Sequence, residues 1–250
     1  MYQKERTDKI LEILREKTYV DVKYLCDTLG YSKATVNRDL NFMAKQNLIK
    51  RSYGGVELIK KKGIPLVFRY HKMKSEKKHI CKAAAELVRD GDVIFIDASS
   101  TTEFITPYLI SKKDITVITS NIAIVAQMSN FSNIKIICLG GEMYEPPAML
   151  GGDLCVKNAM CYKADKFFFS THSISSNGEI GGGGRYNLIL NVMAQNSKKV
   201  IYLADHTKVD IDSKSVVMDA NDVDIIVTDH IFSDEFKAKY NHIEFIEVTK

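Results

Sequence analysis

No stretch of this 250-residue sequence approaches the roughly 18 uncharged apolar residues that a membrane-spanning helix needs. The first ten residues, MYQKERTDKI, are charged and lack the apolar h-region of a secretory signal. Both absences predict a soluble, cytoplasmic protein with no membrane partner. Cysteine is scarce as well. Cys26, Cys81, Cys138, Cys155 and Cys161 are odd in number and form no Cys-x-x-Cys pair, which argues against a disulfide framework or a zinc site. They read as small buried hydrophobes. His172, His206 and His230 show no metal-ligand spacing, so neither a metal nor another cofactor is expected.

What is present is unevenly distributed. Residues 1–62 carry 14 Lys/Arg against 8 Asp/Glu, a balance of +6, whereas residues 63–250 carry 21 against 23, a balance of −2. A compact basic head on a mildly acidic body suggests a polyanionic partner for the head. Charge alone leaves nucleic acid and a membrane surface both open.

The periodicity divides the chain into residues 1–57, a linker over 58–74, and residues 75–250. In the head, residues 4–17 place Ile10, Leu11 and Leu14 on one helical face, and a second short helix over 21–29 stops at Gly30. Ser32 stands where an N-cap belongs, and a third helix runs from it to about Gln46 with Val36, Leu40 and Met43 as its buried stripe. Two short strands around Tyr-Gly-Gly then complete a winged helix-turn-helix outline. The linker holds Lys60–Lys62, Gly63 and Pro65. Beyond it, apolar runs such as VIFID, ITVIT, IKIICL, KFFFS, KVIYLA, DIIVT and IEFIEV alternate with helical stretches, which predicts a larger, Rossmann-like, mainly parallel α/β domain.

If Val36, Leu40 and Met43 face inward, then Ala34, Arg38, Asn41 and Lys45 lie on the opposite face of the third helix, flanked by Thr35 and Asn37. With Ser32 and Lys33 at its start, this small, polar, cationic face suits a major groove, where Arg pairs with guanine and Asn with adenine. Arg51 and Tyr53 on the wing suit backbone or minor-groove contact. Lys50 and Lys60–Lys62 suit non-specific phosphate proximity. Asp39 would be repelled by phosphates and is expected to be structural.

In the second half, Asp97 ends a strand and Ser99, Ser100, Thr101 and Thr102 follow at once, bringing hydroxyls and free backbone N–H groups to one spot. That is a seat for an anion. Thr119, Ser120 and Asn121 occupy the same position after the next strand, and Gly140 and Gly141 after the one following. In an open α/β sheet such strand ends face a crevice where ligands bind. Asp205 and Lys208 add a carboxylate and a cation. Asp165 reads as a strand or helix terminus, and His206 as a residue bordering the pocket. The run Gly181–Gly184 with Arg185 is either a mobile lid over an anion or a flexible turn.

YSKATVNRDL followed by LIKRSYGGVEL resembles the DeoR family of bacterial transcriptional regulators, whose helix-turn-helix carries Ser-x-x-Thr-hydrophobic-Arg-Arg-Asp-Leu and ends in Arg-x-x-Gly-Gly. Ser32, Thr35, Val36, Arg38, Asp39 and Leu40 match, as do Arg51, Gly54 and Gly55, while Asn37 replaces the first Arg. The resemblance covers almost the whole chain and includes Asp205-His206-Thr207-Lys208 as an Asp-x-(Ser/Thr)-Lys motif. It implies a sensor domain similar to sugar-phosphate isomerases that binds a phosphorylated metabolite. Relatives carry an acidic residue at the start of the helix after the glycine run; here Asn187 and Leu188 stand there.

Two functions of different class follow. In the first, the protein is a DNA-binding regulator, a repressor of a carbohydrate-metabolism operon and not an enzyme. Double-stranded operator DNA and a phosphorylated sugar or polyol would be its partners, and pairing of heads on half-sites would make it a homo-oligomer. In the second, the α/β half is a sugar-phosphate isomerase-like enzyme tethered to DNA, with Asp97 or Asp205 as base. Ser99 has no Gly-x-Ser-x-Gly elbow and no identifiable His partner, so it is not read as a nucleophile.

Overall fold

The computed structural model describes residues 3–17, 19–45, 48–52, 54–58, 69–70, 72–145, 149–182 and 184–248. The chain forms two compact units, Met1–Pro65 and Leu66–Lys250, dividing inside the expected linker. Most of that linker, the lysine triplet included, lies outside the described residues.

The first unit opens with helix α1 (Gln3–Lys17), followed by strand β1 (Tyr19–Asp21), helices α2 (Val22–Leu29) and α3 (Lys33–Lys45), and strands β2 (Ile49–Ser52) and β3 (Gly55–Leu58). Ile10, Leu11 and Leu14 are buried with Val36, Leu40 and Met43, so the expected apolar stripes do form the core. Asp21 caps α2, its Oδ1 accepting from the Tyr24 N–H at 2.6 Å. Gly30 ends that helix with φ +70°, and its N–H reaches the Cys26 carbonyl at 2.9 Å. The wing has one strand more than expected: β1 pairs antiparallel with β3, which also pairs with β2. A three-residue strand shows too little alternation to be read in advance. Its presence is felt at Gly55, where an added Cβ would lie 2.8 Å from the Val20 carbonyl oxygen.

In the second unit, helix α4 (Lys74–Glu86) precedes strand β4 (Val93–Ile96). Then come helix α5 (Thr106–Leu109), strand β5 (Ile115–Thr119), helix α6 (Ile122–Met128) and strand β6 (Ile134–Cys138). A hairpin of β7 (Glu142–Glu145) and β8 (Met149–Gly151) leads to helix α7 (Asp153–Met160) and strand β9 (Ala164–Phe169). Strands β10 (Ser173–Ile174) and β11 (Glu179–Gly181), helix α8 (Asn187–Gln195), strands β12 (Ser197–Ala204), β13 (Val216–Asp219) and β14 (Ile225–Thr228), helix α9 (Asp234–Lys239) and strand β15 (Glu244–Glu247) complete it.

Seven strands form one parallel sheet in the order β15-β14-β12-β9-β4-β5-β6. Apolar side chains cover both faces: Phe95, Phe167, Phe169 and Tyr202 on one, Ile94, Ile96, Phe168, Ile201 and Leu203 on the other. Chain direction across the sheet reverses at β4. From it, β5 and β6 lie to one side while β9, β12, β14 and β15 extend to the other. β4 is therefore next to the switch point, where strand ends open a crevice.

Two readings need correction. Cys138 and Cys161 are exposed rather than buried, because one ends the edge strand β6 and the other follows the last turn of α7. The glycine run begins as sheet: Gly181 pairs in β11, and the Gly182 N–H donates to the Ser215 carbonyl at 2.8 Å. A Cβ at Gly182 would meet Asn187 Oδ1 at 2.5 Å, so close packing accounts for this residue.

Candidate functional site

On the first unit, the outer face of α3 presents Lys33, Ala34, Arg38, Asn41 and Lys45, all exposed. Ser32 begins the helix, its Oγ accepting from the Thr35 N–H at 3.3 Å and sharing a hydrogen bond with Thr35 Oγ1 at 3.1 Å. Arg51 reaches from the wing to the helix and donates to both Asn37 Oδ1 and Asn41 Oδ1. The residue that departs from the family signature, Asn37, thus takes part in a bridge that an arginine there could not accept. Asp39 is buried at the inner side, where Arg6 Nε and Nη2 hold its carboxylate at 2.7 and 3.1 Å. Tyr53 lies outside the described residues.

On the second unit, the four hydroxyls after β4 divide into two pairs. Ser99 Oγ accepts from the Thr102 N–H at 3.1 Å and lies 2.9 Å from Thr102 Oγ1, which in turn donates to Asp97 Oδ1 at 2.5 Å. These two residues hold the loop in shape. Ser100 and Thr101 each meet a lysine instead: Lys77 Nζ donates to Ser100 Oγ at 3.1 Å, and Lys208 Nζ to Thr101 Oγ1 at 3.0 Å. Lys208 also donates to Ser170 Oγ at 2.6 Å and lies 3.9 Å from Asp205 Oδ2. Asp205 Oδ1 caps the short turn His206–Lys208 through the Thr207 N–H and hydroxyl, which fixes where the lysine points.

The electrostatics follow from burial. Lys77 is lowered to about 7, first by desolvation and then by repulsion from Lys208. Lys208 is also lowered by burial, against the pull of Asp205 and Asp97. Desolvation raises Asp97 to about 6, although hydrogen bonds from Thr102, Ser99 and Ser170 pull it back. Two crowded, desolvated lysines beside two hydroxyls, each losing hold of its proton for want of a counter-charge, form a site that gains by receiving negative charge.

The other two expected loops follow β5 and β6, the strands that continue the sheet from β4. Thr119 Oγ1 accepts from the Asn121 N–H at 3.0 Å, Asn121 Oδ1 caps α6, and Ser120 Oγ pairs with the Tyr186 hydroxyl at 2.8 Å. All three residues are buried, and Asn121 Nδ2 is a buried donor with no hydrogen-bond partner among the described residues. A Cβ on Gly141 would stand 2.2 Å from the Gly151 carbonyl oxygen, so this glycine serves close packing against β8. Of the partners of the Ser100–Thr101 loop, Lys77 comes from α4, and Lys208, held by Ser170, comes from beyond β12 on the other side of the switch point. His206 turns to Asp229, its Nδ1 2.7 Å from Oδ2, and Asp165 accepts from the Val93 N–H at 2.9 Å and from Lys198, a structural role as expected. The side chain of Arg185 lies outside the described residues.

Lys77, Ser170 and Tyr186 were missed as site residues. Lys77 shares the buried stripe of α4 with Ile80, Cys81 and Ala84, and a lysine in phase with that stripe was the available signal. Ser170 directly follows the phenylalanine run of β9, a strand-end position equivalent to Asp97. Tyr186 links two loops, its hydroxyl accepting from the Ala98 N–H at 3.0 Å and pairing with Ser120.

A winged helix-turn-helix followed by an α/β unit with a cationic seat at its switch point defines a DNA-binding transcriptional regulator with a sensor domain. Residues 6–62 match the DeoR-like helix-turn-helix domain and residues 72–230 the DeoR C terminal sensor domain. The chain belongs to the DeoR family, whose named members here are transcriptional repressors. It is 31% identical over 238 residues to the HTH-type transcriptional repressor GlcR of Bacillus subtilis (strain 168), covering 94% of this chain and 92% of that protein. It is 26% identical over 231 residues to the glycerol-3-phosphate regulon repressor of Escherichia coli (strain K12), covering 92% of each. Among solved structures, ribose 5-phosphate isomerase A from Methanocaldococcus jannaschii aligns with a TM-score of 0.40 at 18% identity over 55% of each chain. No helix among the described residues is long and apolar enough to cross a membrane.

Proposed function

We propose that this repressor acts on an operator of carbohydrate metabolism and that its second unit binds a phosphorylated sugar or polyol, which alters operator affinity. The observation that carries this reading is the pair of lysines donating to adjacent hydroxyls, Lys77 to Ser100 and Lys208 to Thr101. A phosphate group brings up to two negative charges and three acceptor oxygens to a place where cations are crowded and desolvated. Names of relatives, such as the glycerol-3-phosphate regulon repressor and the lactose phosphotransferase system repressor of Lactococcus lactis, support a carbohydrate-linked ligand.

On the head, α3 enters the major groove, with Arg38 and Asn41 reading bases and Lys33, Lys45 and Arg51 near phosphates. A homo-oligomer pairs two such heads on half-sites. The sensor works by binding rather than by turnover. Asp97 is engaged by three donors and Asp205 caps its own turn, so neither carboxylate is presented as a base. Coupling is reciprocal: a ligand that weakens operator binding is itself bound more weakly on operator DNA.

A thermal-shift panel of sugar phosphates beside the same sugars without phosphate tests the reading. The phosphorylated member alone stabilises the wild type, and Lys208→Met removes the shift. Equal stabilisation by the unphosphorylated sugar would refute a phosphate seat.

A further inference from the structure

Arg69 and Tyr70, a helical pair near the start of the second unit, pack against the anion seat. The Tyr70 ring stacks on Phe104 with 4.7 Å between centroids, and Phe104 belongs to the turn that follows Ser99–Thr102. The Arg69 carbonyl accepts a hydrogen bond from Lys77 Nζ, whose second acceptor is Ser100 Oγ. Lys77 therefore ties the segment arriving from the head to the hydroxyl loop of the seat. It is 3% exposed. Around it stand Lys208 and Arg69, which disfavour its charge, and Asp205, Cys81 and Glu103, which favour it.

With its ordinary value lowered to about 7, Lys77 is largely a neutral amine at slightly alkaline pH. A neutral amine has two N–H donors, and Ser100 and the Arg69 carbonyl take both. The protonated form has a third.

We propose that Lys77 is a second cationic ligand of the anion and also the clamp on Arg69–Tyr70: an arriving dianion takes a third hydrogen bond from Lys77, and the charged ammonium then grips the Arg69 carbonyl more firmly. The proton comes from solvent, so the seat gains one positive charge as the anion enters. Hydrogen bonds from a charged donor are about twice as strong as neutral ones, so occupancy of the seat is transmitted as tighter docking of the segment that leads back toward the head. This rests on the reading of the seat as a phosphate site.

Sulfate is a suitable probe on the full chain, because it is a dianion that does not titrate near neutrality. Calorimetric titration at pH 7.5 in buffers of different ionisation enthalpy reports proton uptake, and hydrogen exchange of a peptide spanning Arg69–Glu76 reports docking. The expected result is uptake of about half a proton or more per sulfate, with exchange of that peptide slowed several-fold. In Lys77→Met, both effects vanish at sulfate levels that saturate its own melting shift. A sulfate shift that depends on Lys208 but lacks either proton uptake or slowed exchange overturns the clamp and leaves the seat standing, as does persistence of both in Lys77→Met. No sulfate shift in the wild type removes the seat and the clamp together. The calorimetry needs only the wild type, so it decides even if the variant fails to fold.

Discussion

The recognition face of the head and the seat of the sensor are both built from cations and small polar residues, yet they keep them in opposite environments. Arg38, Asn41, Lys45 and Arg51 are exposed, whereas Lys77, Ser100 and Thr101 are buried and Lys208 nearly so. Exposed cations keep their hydration, rearrange freely and are screened by salt, which suits a long polymer of phosphates met at many points. Buried cations have lost hydration before any ligand arrives, so each regains more from one well-placed anion. One design favours reach, the other selectivity for a small molecule.

The largest expected effect comes from Lys208→Met, which should remove about 2–5 kcal/mol of phosphorylated-ligand binding, because it deletes a desolvated charge from the seat. Operator binding measured by fluorescence anisotropy should be unchanged, and a parallel loss there would break the separation between the two surfaces. Next, Arg38→Ala should cost about 1–3 kcal/mol of specific operator binding and leave the ligand-induced melting shift intact. A smaller effect is expected for Ser32→Ala, about 1 kcal/mol of head stability from the lost N-cap, read by urea unfolding.

A separate test is the pH signature of the sensor. Folded Asp97 holds its proton up to about 6, above its ordinary 3.8, so its contribution to stability falls as pH rises between those values. Folded Lys77 gives up its proton at about 7, below its ordinary 10.5, so stability rises with pH across that window. Melting of the ligand-free protein should therefore show a minimum between the two windows, and Lys77→Met should flatten its alkaline limb. An unchanged limb would mean that Lys77 is not desolvated.

The long apolar strands were legible because a parallel sheet buried on both faces demands near-continuous apolar runs, and VIFID, ITVIT and KFFFS supply them. The head was legible because its apolar stripes and caps lie within single helices. Short strands on the periphery were not: β1, β10 and β11 hold two or three residues each, too few to show alternation, and β1 and β11 also pair with strands distant in sequence. Half of the seat was visible in Ser100, Thr101 and Lys208. Thr119–Asn121 and Gly140–Gly141 do follow strands that neighbour β4, in the order β4-β5-β6, whereas Ser170 and Lys208, which meet each other beside Thr101, follow β9 and β12 on its opposite side, an arrangement that reading the strands one after another does not foretell. Lys77 was hidden inside KSEKKH, which has the composition of a solvated surface. Only its phase relative to Ile80 and Ala84 distinguishes it from the neighbouring lysines.

The position of β4 beside the strand-order reversal has a consequence for how the seat is held together. Thr101 and Lys208 are 107 residues apart, and they meet only after β9 and β12 have been added next to β4. Lys77 and the hydroxyl loop are close in sequence, whereas Lys208 and Ser170 reach Thr101 only through the pairing of β4 with β9 and of β9 with β12, so the contact between Thr101 and Lys208 depends on the central sheet and not on local chain order.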